Sequence, residues 1–240
     1  MDPDQLVAEA DEAGMDPLQY SHMIMGDRFL DEEFERRVFN PLSLRLHPST
    51  MENLTAYDAG AGITHIKRSV VREREPRVDT HSLLVRARGV YKGDERTPGS
   101  GAEAAIGVYF GPDSPHNFAL RVPTSLSLAN RFAEVFAVRM ALLRIRDRWR
   151  TNYTISSVYV VTDSKYVVEA LSEDIDGWRT NGFKNAQGEK VPNHSEIEKL
   201  DRLMLELAED GVETSFWPVD RTENQEADGL ARGELGLPPR

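Results

Sequence analysis

The sequence predicts an α/β fold, in which helices cover both faces of a five-stranded mixed sheet and a mostly helical or irregular extension precedes it. Two observations carry this prediction. Three strand patterns follow one another between residues 82 and 123, and two later strands each stand between amphipathic helices. Consecutive strands joined by turns pair antiparallel, whereas strands separated by helices are typical of parallel pairing, so we expect both kinds of pairing in one sheet.

The predicted elements follow in chain order from residue 82. The strands are 82–89, 104–111, 117–123, 158–162 and 212–219, and the helices are 127–149, 164–172, 195–210 and 224–234. The first helix is the clearest, because Phe132, Val135, Phe136 and Met140 recur at helical spacing. The segment 178–193 is aromatic, basic and rich in turn residues, which predicts a structured loop.

The first 80 residues have a different pattern. Short segments with helix-compatible spacing are interrupted by prolines. The glycine-rich stretch 57–65 predicts a flexible connector rather than a phosphate loop, and 68–81 predicts a charged linker. We therefore divide the chain into an N-terminal extension, residues 1–80, and an α/β domain, residues 81–236.

The amino-acid composition limits the classes of function that the protein can have. The chain has 240 residues and no cysteine, which excludes disulfides, thiolate zinc sites and cysteine nucleophiles. Its net charge is −11; the extension carries 9 Lys/Arg against 16 Asp/Glu (−7), and the remainder carries 20 against 24 (−4). This balance argues against strong non-specific binding of nucleic acid, although a local basic patch is compatible with it.

The sequence also bears on location and partners. It contains no apolar run of the roughly 20 residues that a membrane span needs, and its acidic N-terminus lacks the apolar region of a secretory signal. We expect an intracellular protein without a membrane partner, and no pattern separates nucleus from cytosol. The acidic extension 1–80 is a candidate surface for a protein partner.

Three carboxylates come from separate predicted elements. Asp163 follows the buried strand that ends at Thr162, Glu134 lies one turn into the long helix, and Asp228 lies early in the last helix. Taken singly, Asp163 is typical of a helix N-cap, and the other two are typical of solvated helix residues. Taken together at the carboxyl ends of the strands, they form a hard oxygen set that suits Mg²⁺ or Mn²⁺.

Five pieces of sequence, in order over about two-thirds of the chain, resemble the type 1 ribonuclease H family. They are AAIGVYFG (104–111), ANRFAE (129–134), VVTDSKYVV (160–168), WRTNGFKNAQGEKVPN (178–193) and NQEADGLA (224–231). The resemblance implies the ribonuclease H-like fold and cleavage of the RNA strand of RNA–DNA hybrids with two Mg²⁺ ions. It also implies that Glu134, Asp163 and Asp228 are three of the family's four metal-binding, catalytic carboxylates.

The resemblance further implies a nucleic-acid surface. The residues that it assigns to this surface are Asn130, Lys165, Trp178, Arg179 and Lys184. Aromatic and cationic side chains interleaved in this way suit contact with phosphate and sugar. The segment 178–193 has a second interpretation, a surface loop whose Trp178 and Phe183 pack on a neighbouring helix, and the sequence leaves both open.

The first strand departs from the family. The fourth carboxylate belongs to a D-G pair there, and alignment on Gly89 places Arg88 at its position, with no Asp or Glu between Ser82 and Lys92. A guanidinium stays protonated at ordinary pH and can pair with Asp163 or Glu134. Two unit charges about 4 Å apart interact by roughly 4 kcal/mol at an effective dielectric near 20, and a dication would be repelled by twice that energy.

A second departure lies before the last helix. The family carries a histidine in a flexible loop there, whereas here four residues, 220–223, separate Val219 from Asn224, and no histidine follows His194. We therefore expect a ribonuclease H-like domain that is catalytically impaired or inactive, without a metal cofactor, and with a residual nucleic-acid-binding or regulatory role. The alternatives are an active Mg²⁺- or Mn²⁺-dependent hybrid ribonuclease that uses a substitute ligand such as Asp94, and a protein-interaction scaffold.

Overall fold

The computed structural model describes residues 37–44, 46, 50–69, 75–93, 102–123, 126, 130–149 and 155–240. The chain divides into two compact units, Met1–Val38 and Phe39–Arg240, and the elements below all belong to the second. The helical segments predicted before residue 37 lie outside the described residues, as does the candidate ligand Asp94.

Seven strands and six helices make up the described fold. The strands are β1 (Thr55–Asp58), β2 (Ile63–Arg68), β3 (Arg77–Lys92), β4 (Glu103–Tyr109), β5 (Phe118–Arg121), β6 (Ser157–Thr162) and β7 (Glu213–Pro218). The helices are α1 (Met51–Leu54), α2 (Asn130–Trp149), α3 (Lys165–Glu169), α4 (Ile175–Asn181), α5 (His194–Glu209) and α6 (Gln225–Glu234). A π-helical turn, Ala170–Asp174, joins α3 to α4, and 3₁₀ turns occur at Pro41–Leu44 and Arg221–Glu223.

The predicted fold class is confirmed, since all seven strands form one mixed sheet. Strands β1 to β5 pair in sequence order, each antiparallel to the next, whereas β6 runs parallel to both β3 and β7. The 16-residue β3 therefore pairs with three strands, β2, β4 and β6. This long strand places residue 88 in the interior of the sheet.

The predicted strand number of five is wrong, because the segment 57–65 is not a flexible connector. It contains a hairpin turn between β1 and β2, in which the Asp58 carboxylate accepts hydrogen bonds from the N–H groups of Gly60 (2.8 Å) and Ala61 (3.1 Å). Gly62 has a φ of 69°, which glycine adopts without strain. Residues 77–81, expected within a linker, extend β3, so the sheet uses residues assigned to the extension 1–80.

Two glycines allow helices to lie close to the two faces of the sheet. A Cβ at Gly89 of β3 would overlap the backbone of Ala133 in α2, and a Cβ at Gly107 of β4 would overlap the carbonyl oxygen of Ala227 in α6. Gly107 pairs with Arg88, so Arg88 lies on the α6 face, and its neighbour Gly89 lies on the opposite, α2 face. Helices α2 and α6 thus meet the sheet next to residue 88 from opposite sides.

Within the described residues, no helix combines the length and the apolar character that crossing a bilayer requires.

Candidate functional site

Arg88 occupies the middle of β3 and is buried, with 4% of its side chain exposed. Its Nη1 atom donates a hydrogen bond to Oδ2 of Asp163 at 2.7 Å, and its Nε atom donates to Oδ1 of Asp228 at 3.3 Å. Nη1 also lies 3.7 Å from Oε1 of Glu134, which is ion-pair distance. One guanidinium therefore contacts all three carboxylates that the sequence analysis names, Asp228 as well as Asp163 and Glu134.

These carboxylates are carried by three different elements. Glu134 lies on α2, Asp163 directly follows β6, and Asp228 lies on α6; between 5% and 10% of each side chain is exposed. Buried carboxylates need a cation or hydrogen-bond donors to compensate for lost hydration. Arg88 supplies both, and it ties α2, β6 and α6 to the central strand.

Two polar side chains hold the carboxylates in position. The Ser164 hydroxyl donates to Oε2 of Glu134 at 2.6 Å, and Asn224 Nδ2 donates to Oδ1 of Asp163 at 2.9 Å and to the carbonyl of Ala87 at 3.2 Å. Ser164 is also the N-cap of α3, since its hydroxyl accepts from the Val167 N–H. Asp163 is thus not the helix cap, and its carboxylate accepts hydrogen bonds from Arg88 and Asn224, among others.

Two further arginines lie at the edge of the cluster formed by Arg88, Glu134, Asp163 and Asp228. Arg221, in the short loop before α6, places its Nε 3.4 Å from Oδ2 of Asp163, and half of its side chain is exposed. Arg232 places its Nε 3.7 Å from Oδ2 of Asp228, one turn earlier on α6. Three arginines therefore face three carboxylates in these contacts. Asp228 and Arg232 are four residues apart on one helix, so this ion pair could have been predicted from the sequence.

The divalent cations that the family resemblance implies do not fit this arrangement. A metal ion needs carboxylate oxygens directed at a shared point, and here a permanently charged guanidinium lies at that point. In the described part of the chain, no group of three or more His, Asp or Glu side chains is arranged to hold a metal ion. The cluster is organised as an ion-pair network around Arg88.

The residues assigned to nucleic-acid contact have diverse surroundings. Lys165 is 85% exposed and lies 3.2 Å from Glu169, and Lys184 is exposed. Asn130 begins α2, but its side chain lies outside the described residues. None of these placements conflicts with contact to a ligand, and their role stays a prediction.

The 178–193 segment mixes packing and exposure. Arg179 is bound by Asp201 of α5, with Nε 2.8 Å from Oδ2, and by Asp176 at 2.6 Å. Phe183 is buried at 8% exposure, and its ring lies 6.5 Å from that of the half-buried Trp178. Arg179 and Phe183 thus attach the segment to the body of the domain, while Lys184 faces solvent.

Comparisons with known proteins identify a family and several relatives that this chain resembles. The family model described as RNase H matches residues 93–235, a range that includes Glu134, Asp163 and Asp228 and begins just after the strand that carries Arg88. Ribonuclease H1 of Mus musculus is 30% identical over 135 residues, covering 55% of this chain and 43% of that protein. The ribonuclease H of Schizosaccharomyces pombe is 28% identical over 196 residues, covering 78% of this chain and 69% of that protein.

Among solved structures, RNase H1 from Halobacterium salinarum NRC-1 aligns with a TM-score of 0.43 and 19% identity, over 65% of this chain and 98% of that one.

The chain spans less than half of the length of the mouse, rat and human ribonucleases H1 that it matches. The family model, in contrast, covers more than half of this chain, from β4 through α6. The chain therefore belongs to the ribonuclease H family.

Proposed function

We propose that this protein is a ribonuclease H-family domain that binds nucleic acid, RNA–DNA hybrid in the first place, and cleaves it poorly or not at all. The single observation behind the proposal is the position of Arg88, whose buried guanidinium contacts Glu134, Asp163 and Asp228. The resemblance assigns metal binding to these three carboxylates. In this chain a cation that no change of buffer removes already lies in contact with all three of them.

The loss of cleavage follows from electrostatics. Metal-dependent phosphodiester cleavage requires cations that activate water and stabilise the leaving oxygen. A divalent ion brought to this cluster would have to displace the guanidinium from hydrogen bonds to Asp163 and Asp228, at a site where little water screens the repulsion. We infer that Mg²⁺ or Mn²⁺ binds here orders of magnitude more weakly than a four-carboxylate site would allow.

Nucleic-acid binding is proposed from the family and from the exposed cations. Lys165 lies two residues after Asp163 in the sequence, and Lys184 lies in the 178–193 segment. With a net charge of −11 on the whole chain, we expect these contacts to be few, so the affinity should be modest and sensitive to salt.

Cleavage of a labelled RNA–DNA hybrid in the presence of Mg²⁺ and, separately, Mn²⁺ tests the first half of the proposal. We expect turnover no higher than that of the Asp163→Asn variant, because the Arg88 guanidinium already binds the carboxylates of Asp163 and Asp228. Robust wild-type turnover that Asp163→Asn abolishes would show an active hybrid ribonuclease, with Asp94 as the first candidate for a replacement ligand.

Binding of the same hybrid, of double-stranded RNA and of DNA across a salt series tests the second half. We expect hybrid affinity to fall with salt, and Lys184→Ala to weaken binding several-fold, since each phosphate contact releases counterions. Lys199→Ala is the matched control, because Lys199 is another exposed lysine, on α5, paired with Glu196. Absence of binding to all three nucleic acids would instead favour a protein-interaction scaffold.

A further inference from the structure

Arg221 is the most exposed of the three arginines that face the carboxylates. Half of its side chain is exposed, whereas the side chains of Arg88 and Arg232 are 4% and 10% exposed. We propose that the Arg221 guanidinium binds a phosphate group of nucleic acid directly, and that binding of nucleic acid therefore needs no divalent cation. The inference rests on the proposed function for the class of ligand. It adds the residue and the contact that hold this ligand at the cluster.

Most of the Arg221 guanidinium is available to a ligand. A guanidinium carries five N–H donors in a planar fork, and Arg221 uses its Nε to reach Oδ2 of Asp163 at 3.4 Å. Within the residues that the structure describes, its Nη1 and Nη2 atoms have no hydrogen-bond partner. Two parallel N–H groups of such a fork match two oxygens of a phosphate, and this geometry favours arginine over lysine at phosphate contacts.

The charges at the cluster permit a phosphate to approach. The three carboxylates alone would repel a polyanion, but three arginines contact them, so the opposite charges are equal in number. In metal-dependent cleavage of phosphodiesters, cations bound by the protein contact the phosphate oxygens. Here Arg88 contacts the carboxylates from within the sheet, and the half-exposed Arg221 contacts Asp163. A phosphate can therefore meet a cation of the protein itself at this position.

The turn that carries Arg221 is held to the sheet. It is the 3₁₀ turn Arg221–Glu223, whose last carbonyl accepts a hydrogen bond from Nη1 of Arg86. The next residue, Asn224, is fully buried, and its Nδ2 donates to a backbone carbonyl of β3 at 3.2 Å and to Oδ1 of Asp163 at 2.9 Å. Because these contacts fix the backbone of the turn, less conformational entropy is lost when the Arg221 guanidinium binds a ligand.

Acidic neighbours limit the strength of this contact. Asp220 and Glu223 belong to the same short loop, and both are exposed. Charges act over a Debye length of about 8 Å in physiological salt, so these carboxylates partly oppose the attraction between Arg221 and a phosphate. We therefore expect a single phosphate contact of moderate strength, whose removal weakens binding several-fold.

The test is binding of a labelled RNA–DNA hybrid to the full chain, in chelator and in millimolar Mg²⁺ at matched ionic strength. We expect Mg²⁺ not to increase the wild-type affinity, because a guanidinium makes the phosphate contact and Mg²⁺ competes for the phosphates as a counterion. Arg221→Ala should weaken binding about fivefold and reduce the slope of log affinity against log salt by about 1. Arg221→Lys keeps the charge without the fork, so it should retain the slope and lose about twofold in affinity.

Arg202→Ala is the matched control. Arg202 is another exposed arginine that pairs with a carboxylate, Glu198 of α5, outside the cluster, so the affinity and the salt slope of this variant should equal those of the wild type. The Tm of Arg221→Ala should stay within about 2 °C of the wild-type Tm, since a half-exposed ion pair adds little stability. An unchanged Tm shows that the change in affinity comes from a lost contact and not from unfolding.

Two results would overturn the inference while binding of the hybrid itself is observed. One is an Arg221→Ala variant that keeps the wild-type affinity and salt slope. The other is wild-type binding that depends on Mg²⁺, seen as a gain in affinity of at least about tenfold over chelator. Absence of hybrid binding by the wild type would instead overturn the proposed function and this inference with it, so the two failures are distinguishable.

Discussion

At the scale of single residues, burial decides how charged and polar side chains act in this protein. Arg88 would be an ordinary surface cation if exposed, but inside the sheet it contacts the three buried carboxylates Glu134, Asp163 and Asp228. A buried ion network of this kind adds less net stability than its contacts suggest, because each charge has lost its hydration. Its importance lies in specificity: one guanidinium contacts all three carboxylates.

Burial also controls a tyrosine on the neighbouring strand. It raises the pKa of the Tyr159 hydroxyl above its ordinary value, against the opposing effect of the Arg68 guanidinium, whose Nη2 donates to this hydroxyl at 2.9 Å. The unfolded chain ionises this tyrosine near its ordinary pKa of about 10, whereas the folded chain keeps it neutral to higher pH. The resulting stability is complete below about pH 10 and is lost as the pH rises through the raised pKa.

We therefore expect Tyr159→Phe to flatten the alkaline part of the stability curve. Tm measured between about pH 9 and pH 11 should fall less steeply in the variant than in the wild type, while a residual slope remains from Tyr109 and Tyr166, whose pKa values are also raised by burial. At neutral pH the variant loses the hydrogen bonds of the Tyr159 hydroxyl with Arg68 and Ser157. Parallel curves for the two proteins would show that Tyr159 does not contribute to alkaline unfolding.

At the scale of elements, two close contacts between helix and sheet define the site. Gly89 and Gly107 lack the Cβ atoms that would collide with α2 and α6, so both helices lie near β3 and can present Glu134 and Asp228 to Arg88. This arrangement makes residue 89 intolerant of even a methyl group. The contact with α2 also explains why residue 89 is a glycine, although its φ is not one of the positive values that favour glycine.

A pair of alanine substitutions tests this explanation. Gly89→Ala should lower the free energy of unfolding by about 3 kcal/mol, since the new methyl group would overlap the Ala133 backbone. Gly177→Ala in α4 meets nothing within 4 Å and should raise it by about 0.5–1 kcal/mol through helix propensity. Denaturant unfolding of both variants provides the measurement. Equal changes in the free energy of unfolding of the two variants would mean that backbone entropy, not the contact with α2, determines the effect of the substitution at residue 89.

Elements also show what could be predicted from sequence. The strands after residue 82 and the helices α2, α3, α5 and α6 could be predicted because their apolar patterns are local, and the place of Arg88 could be predicted because Gly89 fixes the alignment. Helix α4 was not predicted, since its second half belongs to the segment 178–193, which was expected to be a loop. The β1–β2 hairpin was missed, since β1 has only four partly buried or exposed residues and a glycine-rich turn that is typical of connectors. The contacts of Asn224 with Ala87 and of Arg221 with Asp163 join positions 137 and 58 residues apart, which no local pattern encodes.

At the scale of the whole molecule, the sheet and its core reach further toward the N-terminus than the predicted boundary at residue 81. One hydrophobic cluster combines residues from before and after that boundary, namely Leu44, Leu54, Ile66, Leu84, Tyr159, Val161 and Trp217, with Phe39 and Met51 packed against it. The second compact unit accordingly begins at Phe39. We propose that the folding unit is 39–240 and not 81–236.

Two truncations distinguish these boundaries. A chain that starts at residue 39 retains all seven strands and should unfold cooperatively, with a Tm within about 3 °C of the full chain. A chain that starts at residue 81 loses β1, β2 and part of β3, and it exposes the cluster around Leu84 and Trp217. We expect it to lose at least about 10 °C in Tm or to aggregate. Calorimetry with size-exclusion chromatography would show this, and two equally stable chains would support the boundary at 81.

The order of elements along the chain has a consequence for synthesis on the ribosome. Strands β1 to β5 pair with sequence neighbours, so this antiparallel half can assemble as soon as it has emerged. Arg88 belongs to that half, but Glu134, Asp163 and Asp228 follow it by 46, 75 and 140 residues. A nascent chain thus carries Arg88 without all of its partners until residue 228 has been translated, and the network closes only when α6 has emerged from the ribosome.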